Sequence, residues 1–536
     1  MIMKKYFVLT AVISLCLNIS ALAQASNSNV ELPDFVITGT DRVNVQKAEK
    51  VKPDIVSTVT QGFLKPAYSP EELEIKDLSN PVKDELNLFD TLNYLGGDIK
   101  AGTGAYFMPV GKISYALPFE HGLFDASAYG SNQREHVKYS DKIMMGGQAD
   151  LSFFVDNQSS FLPGAQFKLN GGYDYSSYKF YGANSEIYKA DKRTLNSGTV
   201  GFSINDLYSD IFIFGADIKN DFSSLNKETF SENLIDLDGF AKLELANFNL
   251  VANVNYKNQY ISDSLADNQR GFFGIRPTVG LVFSKVLKAF FGFNYQTVSG
   301  NSFFSPYASL AFRFDKNFTL YGQFAPYADF ITAGEFLKQN PFLNVQQRRN
   351  IFIENQFYIK ASVKYEYDKY FQINGGVEIA TSDNMPYFSG DAETGRFNVL
   401  DTEGKRLKVF ADFLFHPGPF GMFYGTVVLN RTTEDSAGNY LPYNPLLKAE
   451  LSYGYNFDFG ISARANLSFN SSSYADLANE VKLDPYYNLG VDLAYKIASN
   501  FSLTFSLTNL LGQDNYRWYG YKETPLDFIA GINYKW

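Results

Sequence analysis

From about Gly96 to the carboxy terminus the sequence repeats one pattern. Runs of roughly ten to fifteen residues alternate apolar and polar side chains and break at Gly, Asn, Asp, Ser or Pro. Ile461, Ala463, Ala465, Leu467 and Phe469 alternate with Ser462, Arg464, Asn466, Ser468 and Asn470. Phe501, Leu503, Phe505 and Leu507 do the same with Ser502, Thr504 and Ser506. A period of two places one set on each face of a sheet. The polar set carries full charges, among them Lys242, Glu244, Lys364, Glu366 and Arg464. A dry sandwich core would leave those charges desolvated, whereas a polar or water-filled lumen accepts them. The pattern predicts an all-β fold, a transmembrane antiparallel β-barrel.

Composition leads to the same place. Aromatic residues reach 17%, with 50 Phe and 37 Tyr, while charged residues stand at 19%, below the roughly 25% of soluble domains. Mean hydropathy is nonetheless −0.19, and after the first 25 residues no apolar run is long enough for a helical span. A closed barrel is the spanning architecture that remains. A formal charge of −10 argues against nucleic acid as a partner.

The alternation gives about 22 strands between residues 96 and 536. Short connections, such as 118–122, 315–316, 367–368 and 458, take turns with long ones, such as 133–143, 178–192, 221–230, 328–350, 383–404 and 511–525. Short periplasmic turns and long outer loops are the habit of outer-membrane barrels. The weakest strand is 271–283, where Pro277 is expected at a bulge or near an end.

The first 25 residues read as a signal peptide. Lys4 and Lys5 precede an apolar stretch from Tyr6 to Leu17, and cleavage fits Ala21-Leu22-Ala23 or Ala23-Gln24-Ala25. Cys16, the one cysteine, lies inside that signal, so the exported chain is expected to have no disulfide and no cysteine-bound metal. Residues 26–95 form an N-terminal segment, periplasmic or lumenal, with short helices expected from Ser69-Pro70-Glu71-Glu72 and Asn80-Pro81. The expected location is the outer membrane of a Gram-negative-type bacterium, in contact with outer-membrane lipid.

Three stretches carry a family resemblance. Asp34-Phe35-Val36-Ile37-Thr38-Gly39-Thr40 resembles the TonB box of TonB-dependent outer-membrane receptors, an extended segment that binds TonB by strand addition. Asn340-Pro341-Phe342-Leu343, with Ile353-Glu354-Asn355 opening the next strand, resembles a loop and strand of those receptors' barrels. The carboxy-terminal run from Thr508 through Tyr516-Arg517-Trp518-Tyr519 to the aromatic end is similar as well. Phe528, Ala530, Ile532, Tyr534 and Trp536 resemble the terminal signal read by the barrel-assembly machinery. The resemblance spans the barrel, 96–536, and the box. It implies transport of a solute across the outer membrane with TonB as partner, and no enzymatic activity.

One departure matters. Those receptors carry a folded plug larger than the space between the box and residue 95, and a wide lumen needs filling. A reduced plug from residues 41–95, outer loops folded inward, or a partner protein in the lumen could each fill it. The alternative function is a plugless passive pore or an adaptor barrel that holds a partner and is not energised.

No catalytic constellation or cofactor site is legible. His121 and His416 fall in periplasmic turns and His136 in an outer loop, all read as solvated, without the spacing of a metal site or triad. Arg348-Arg349 is the densest cationic spot on the outer side, suited to an anionic ligand or lipopolysaccharide phosphate. Tyr178 and Trp518 stand in the aromatic groups Tyr175, Tyr178, Phe180, Tyr181 and Tyr516, Trp518, Tyr519, Tyr521. Such groups stack on sugars or aromatic ligands, although an interface girdle is their commoner role.

Overall fold

The structure, a computed structural model, describes residues 96–536 apart from 157–158, 160–161, 207–210, 246–247, 264–267, 285, 316, 348–349, 368–370 and 417–419. The signal peptide, the box at 34–40 and the segment to residue 95 lie outside the described residues, as do Arg348 and Arg349.

The strands are β1 Gly96–Gly104, β2 Phe107–Phe119, β3 Gly122–Gln133, β4 Lys142–Phe154, β5 Gln166–Lys179, β6 Lys192–Asp206, β7 Phe212–Leu225 and β8 Phe230–Leu245. They continue as β9 Phe248–Ser262, β10 Asn268–Ser284, β11 Leu287–Val298, β12 Asn301–Asp315 and β13, which runs in two pieces, Phe318–Phe324 and Tyr327–Thr332. The remainder are β14 Asn350–Tyr367, β15 Phe371–Asp391, β16 Arg396–Phe415, β17 Met422–Glu434, β18 Leu447–Asn456, β19 Ile461–Asn470, β20 Tyr486–Ala498, β21 Phe501–Thr508 and β22 Asp527–Lys535. Two short helices, α1 Glu186–Lys189 and α2 Ala333–Gln339, sit in outer connections.

Every strand pairs antiparallel with its sequence neighbours, and β22 pairs with β1, so the ring closes with 22 strands. Closure leaves no edge through the membrane. At the seam Gly97 and Trp536 exchange both backbone hydrogen bonds, at 2.9 and 3.0 Å. The Trp536 indole lies so close over Gly97 that a Cβ there would sit 2.1 Å from the ring. Phe528, Ala530, Ile532, Tyr534 and Trp536 all point outward and are exposed.

The two faces divide as the alternation requires. Outward side chains such as Leu250, Phe291, Ile379, Leu503 and Ile532 stay exposed as a lipid-facing band. Inward charges find partners: Lys168 with Asp150 at 2.8 Å, Lys242 with Glu244 at 2.6 Å, Lys364 with Glu366 at 2.7 Å and Arg464 with Asp492 at 2.6 Å. Turn chemistry fixes register locally. Ser299 and Gly300 both take positive φ, 45° and 98°, the two-residue turn whose twist suits a hairpin.

Three expectations are corrected. Pro277 lies inside β10, away from bulge and end. It keeps its register with Ala252 of β9, while the ladder to β11 lapses at Arg276 and Pro277 and resumes at Thr278 in the same register, so the ring absorbs a missing N–H without shifting there. The expected loops 221–230 and 383–404 are mostly strand. β7 and β8 run on to a turn at 226–229, and β15 and β16 to one at 392–395, because these hairpins build a packed layer above the lipid band. The expected loop 328–350 holds a strand and a helix. At Ala325-Pro326 the chain leaves the wall, and Tyr327–Thr332 pairs with β14 without pairing to β12.

Candidate functional site: the closed outer mouth

Residues 326–345 form a flap that folds into the outer mouth, and each part has a local cause. Proline cannot donate to a ladder, and at Pro326 the strand turns inward. The Pro326 carbonyl accepts from Asn294 Nδ2 at 2.7 Å and Ser305 Oγ at 2.5 Å, both buried on the inner wall. Thr332 then caps α2 in a reciprocal capping box with Glu335. The inner wall grips this turn. Glu232 of β8, 5% exposed, accepts from Gly334 N at 2.9 Å and Gln259 Nε2 at 2.8 Å. Lys257 of β9 donates to the Phe330 carbonyl at 3.1 Å and to Glu335 at 3.2 Å. Beneath, Ala333, Phe336, Leu337, Leu343, Val345 and Ile351 form one apolar core with Leu225, Phe230 and Ile261 of the wall and Val399 of β16.

Past α2 the flap reaches a buried ion network. Arg193, 2% exposed, donates Nη1 to the Pro341 and Leu343 carbonyls, both at 2.8 Å. Its Nη2 and Nε donate to the Glu228 carboxylate at 2.5–3.2 Å. Arg396 meets the same carboxylate at 2.7 Å and reaches Asp191 at 3.4 Å. The Phe180 ring lies between the two guanidinium groups, 4.6 Å from each. Such a network satisfies its members together, and removing one leaves a buried charge.

An aromatic cluster completes the closure. Phe342 stacks on Tyr521 at 3.6 Å and meets Tyr178 edge-on at 5.5 Å, while Tyr181 meets Tyr521 at 4.9 Å. Trp518 packs against Phe388, Phe397 and Tyr443. The Tyr521 hydroxyl donates to the Gly395 carbonyl at 2.6 Å, and Asn184 N donates to the Ala392 carbonyl at 2.8 Å. Burial pushes the Tyr178 hydroxyl up to about 12 and also raises Tyr181, Tyr443 and Tyr521. All four stay neutral phenols that can donate. Because β5 and β16 stand about half the ring apart, these contacts bridge opposite walls.

This places the residues singled out in sequence. Tyr178 and Phe180 are buried, and the two aromatic groups meet each other above the membrane, so Tyr178, Phe180, Tyr181, Trp518 and Tyr521 pack loop against loop and do not form a lipid-interface girdle. His136 is not simply solvated. Its Nε2 donates to the Lys522 carbonyl at 2.8 Å and its ring meets Tyr106 and Tyr181 edge-on. His121 stays half-exposed beside Glu120, as a turn residue would. Among the described residues no group of His, Cys, Asp and Glu is arranged to hold a metal ion. Sequence reasoning missed Arg193, Glu228, Glu232, Lys257 and Arg396, whose pairings cross long sequence distances. The visible signal was Ala325-Pro326 followed by the Thr332-Glu335 capping box.

No protein-family model matches the chain, nor does the sequence of any curated protein. Solved structures do match the fold. The ferric-catecholate import receptor Fiu of E. coli K12 superimposes with a TM-score of 0.61 at 11% identity, covering 82% of this chain and 81% of that one. The FrpB iron transporter from Neisseria meningitidis gives 0.61 at 10%, covering 82% and 81%. The copper transporter OprC gives 0.60 at 10%, covering 82% and 80%. The fold is that of the TonB-dependent outer-membrane receptors. In this receptor fold the apolar band of β1–β22 faces lipid and the flap lies across the outer opening of the lumen.

Proposed function

We propose that the chain transports a solute across the outer membrane as a gated barrel energised by TonB, which pairs with Asp34-Phe35-Val36-Ile37-Thr38-Gly39-Thr40. The observation that carries this reading is the closed mouth. A flap docked on the wall by buried polar contacts, an apolar core and an aromatic cluster supports a gate, shifted by bound solute or applied work, over a pore that stands open. Strand addition suits the box, whose β-branched residues favour extended backbone. The likeness to the Fiu, FrpB and OprC folds supports transport as the general activity. Phe528, Ala530, Ile532, Tyr534 and Trp536 would be what the barrel-assembly machinery reads during insertion.

Two measurements test it. In cells, a V36C chain should form a disulfide adduct with a TonB carrying a cysteine in its carboxy-terminal strand, and deletion of 34–40 should abolish energised uptake with assembly intact. No adduct would remove TonB from the account. In planar bilayers the intact protein should be closed, and a chain with 327–345 replaced by a short Gly-Ser linker should conduct. Equal, open conductance in both would favour the passive pore or adaptor barrel.

A further inference from the structure

Where the flap leaves the wall it encloses a crevice of about 280 Å³ between itself and the inner face of β10–β12. Alternation decides what faces it. On the wall side, Arg270, Val298 and Asn301 share inward parity with buried Phe272 and Phe303. On the flap side, Phe330, Phe352 and Glu354 share the opposing face, because Phe330 pairs with Phe352 and Ala328 with Glu354. Phe272 stacks on Phe330 at 6.4 Å with an interplanar angle of 8° and gives the crevice an apolar floor.

Its rim is charged. Neither Arg270 nor Glu354 has an ion-pair partner among the described residues, although both line the same space. Gln356 Nε2 donates to Glu354 at 3.0 Å and to Asp383 at 3.1 Å, so two carboxylates are held side by side. Partial burial, and Asp383 beside it, hold the Glu354 carboxyl above the usual range, as expected of an acid lacking a cation. The volume far exceeds the one-water minimum of roughly 10–15 Å³ and falls just short of drug-sized pockets, roughly 300–1,000 Å³.

A cationic donor and a carboxylate lining one small crevice, with a second carboxylate beside the first, complement a ligand with both charges. We propose that the crevice binds an amino-acid-like zwitterion, its carboxylate on the Arg270 guanidinium and its ammonium on Glu354 and Asp383. Arg suits the carboxylate because its planar fork can donate two parallel bonds. The short aliphatic body would lie over Phe330 and Phe352. Binding there stands apart from energised transport, since it is read on the purified barrel.

The test is isothermal titration calorimetry on the full exported chain in detergent, with L-alanine and L-alanyl-L-alanine as probes. At least one should bind saturably, and its N-acetylated and C-amidated forms should bind at least ten-fold more weakly. R270Q and E354Q, shown assembled by heat-modifiable gel mobility, should each weaken the free zwitterion by the same margin. The proposal is overturned if neither probe binds at millimolar concentration, if blocked forms bind as well as free ones, or if both variants bind like the parent. Should a variant fail to assemble, the blocked-ligand series on the parent chain decides alone.

Discussion

Asn294 and Pro326 meet on the inside of the wall, the side-chain amide of the first donating to the carbonyl of the second at 2.7 Å. With Ser305 on the same oxygen, this pair fixes the point where β13 turns from the ring into the mouth. N294A alone leaves the Ser305 hydroxyl donating to that carbonyl and should have a small effect. N294A/S305A leaves a buried carbonyl unpaired, which costs about 1–3 kcal/mol. The expected outcome is faster amide exchange across 327–345 with unchanged exchange in β18–β22. Equal protection in parent and double variant would contradict this.

Arg193 should be the most sensitive single position in the outer layer. R193M leaves the 8%-exposed Glu228 with Arg396 as its remaining cation, takes the donor from the Leu343 carbonyl and leaves Pro341 with the Tyr178 hydroxyl alone. Breaking one partner from a buried pair costs on the order of 3 kcal/mol or more. R193M/E228L, which removes both charges, should recover much of that loss. Limited proteolysis within 333–345 would read both steps.

The seam offers a suppressor test. In G97V the added side chain would occupy the space of the Trp536 ring, so closure requires the half-exposed indole to swing off Gly97 while the Gly97–Trp536 backbone pair is kept. Heat-modifiable mobility should show fewer closed barrels. W536A in the same chain removes the obstacle and should restore closure in protein refolded from denaturant, where assembly signals play no part. If G97V closes as often as the parent, packing of the indole on Gly97 contributes nothing to closure.

Glu232 gives the flap a pH dependence of definite sign. It lies at the outer tip of β8, above the lipid band, between polar outward neighbours Ser231 and Asn233. Burial raises its carboxyl above the ordinary range, opposed by the bonds from Gln259, Gly334 and Thr332. A folded-state value raised above the unfolded one, about 4.3, means the folded form holds the proton more tightly. That stabilisation is fully present below the unfolded value and fades as pH rises through the folded one. Thermal denaturation from about pH 4 to 7 should show a decline in the parent that E232Q flattens. Identical profiles would place Glu232 in solvent.

The ring was legible because its two environments, lipid and lumen, force period two on every strand. Ile461–Asn470 and the terminal Asp527–Lys535 fall where alternation puts them. The outer layer was not, since it answers to a different core. Phe388, Phe397 and Val399 lie where loop was expected, yet they pack across the mouth against Phe336, Tyr443 and the flap. Arg193 opened an expected strand, and nothing local tells that its partner is Glu228, 35 residues on. Pro277 misled in the other direction: a residue that would break an isolated strand is carried by β9, which pairs without a break from Asn268 to Leu281.

The break at Ala325-Pro326 also divides the cylinder mechanically. Below it, β12 is laced on both sides, from Ala308 to Asp315 with β13 and along its length with β11. Above it, Asn301 to Tyr307 pair on the β11 side only, leaving a notch in the rim where one selvedge hangs free. A lever hinged at such a notch can swing without unpicking a single stitch of the fabric beneath, so the rim is compliant where the girth is stiff.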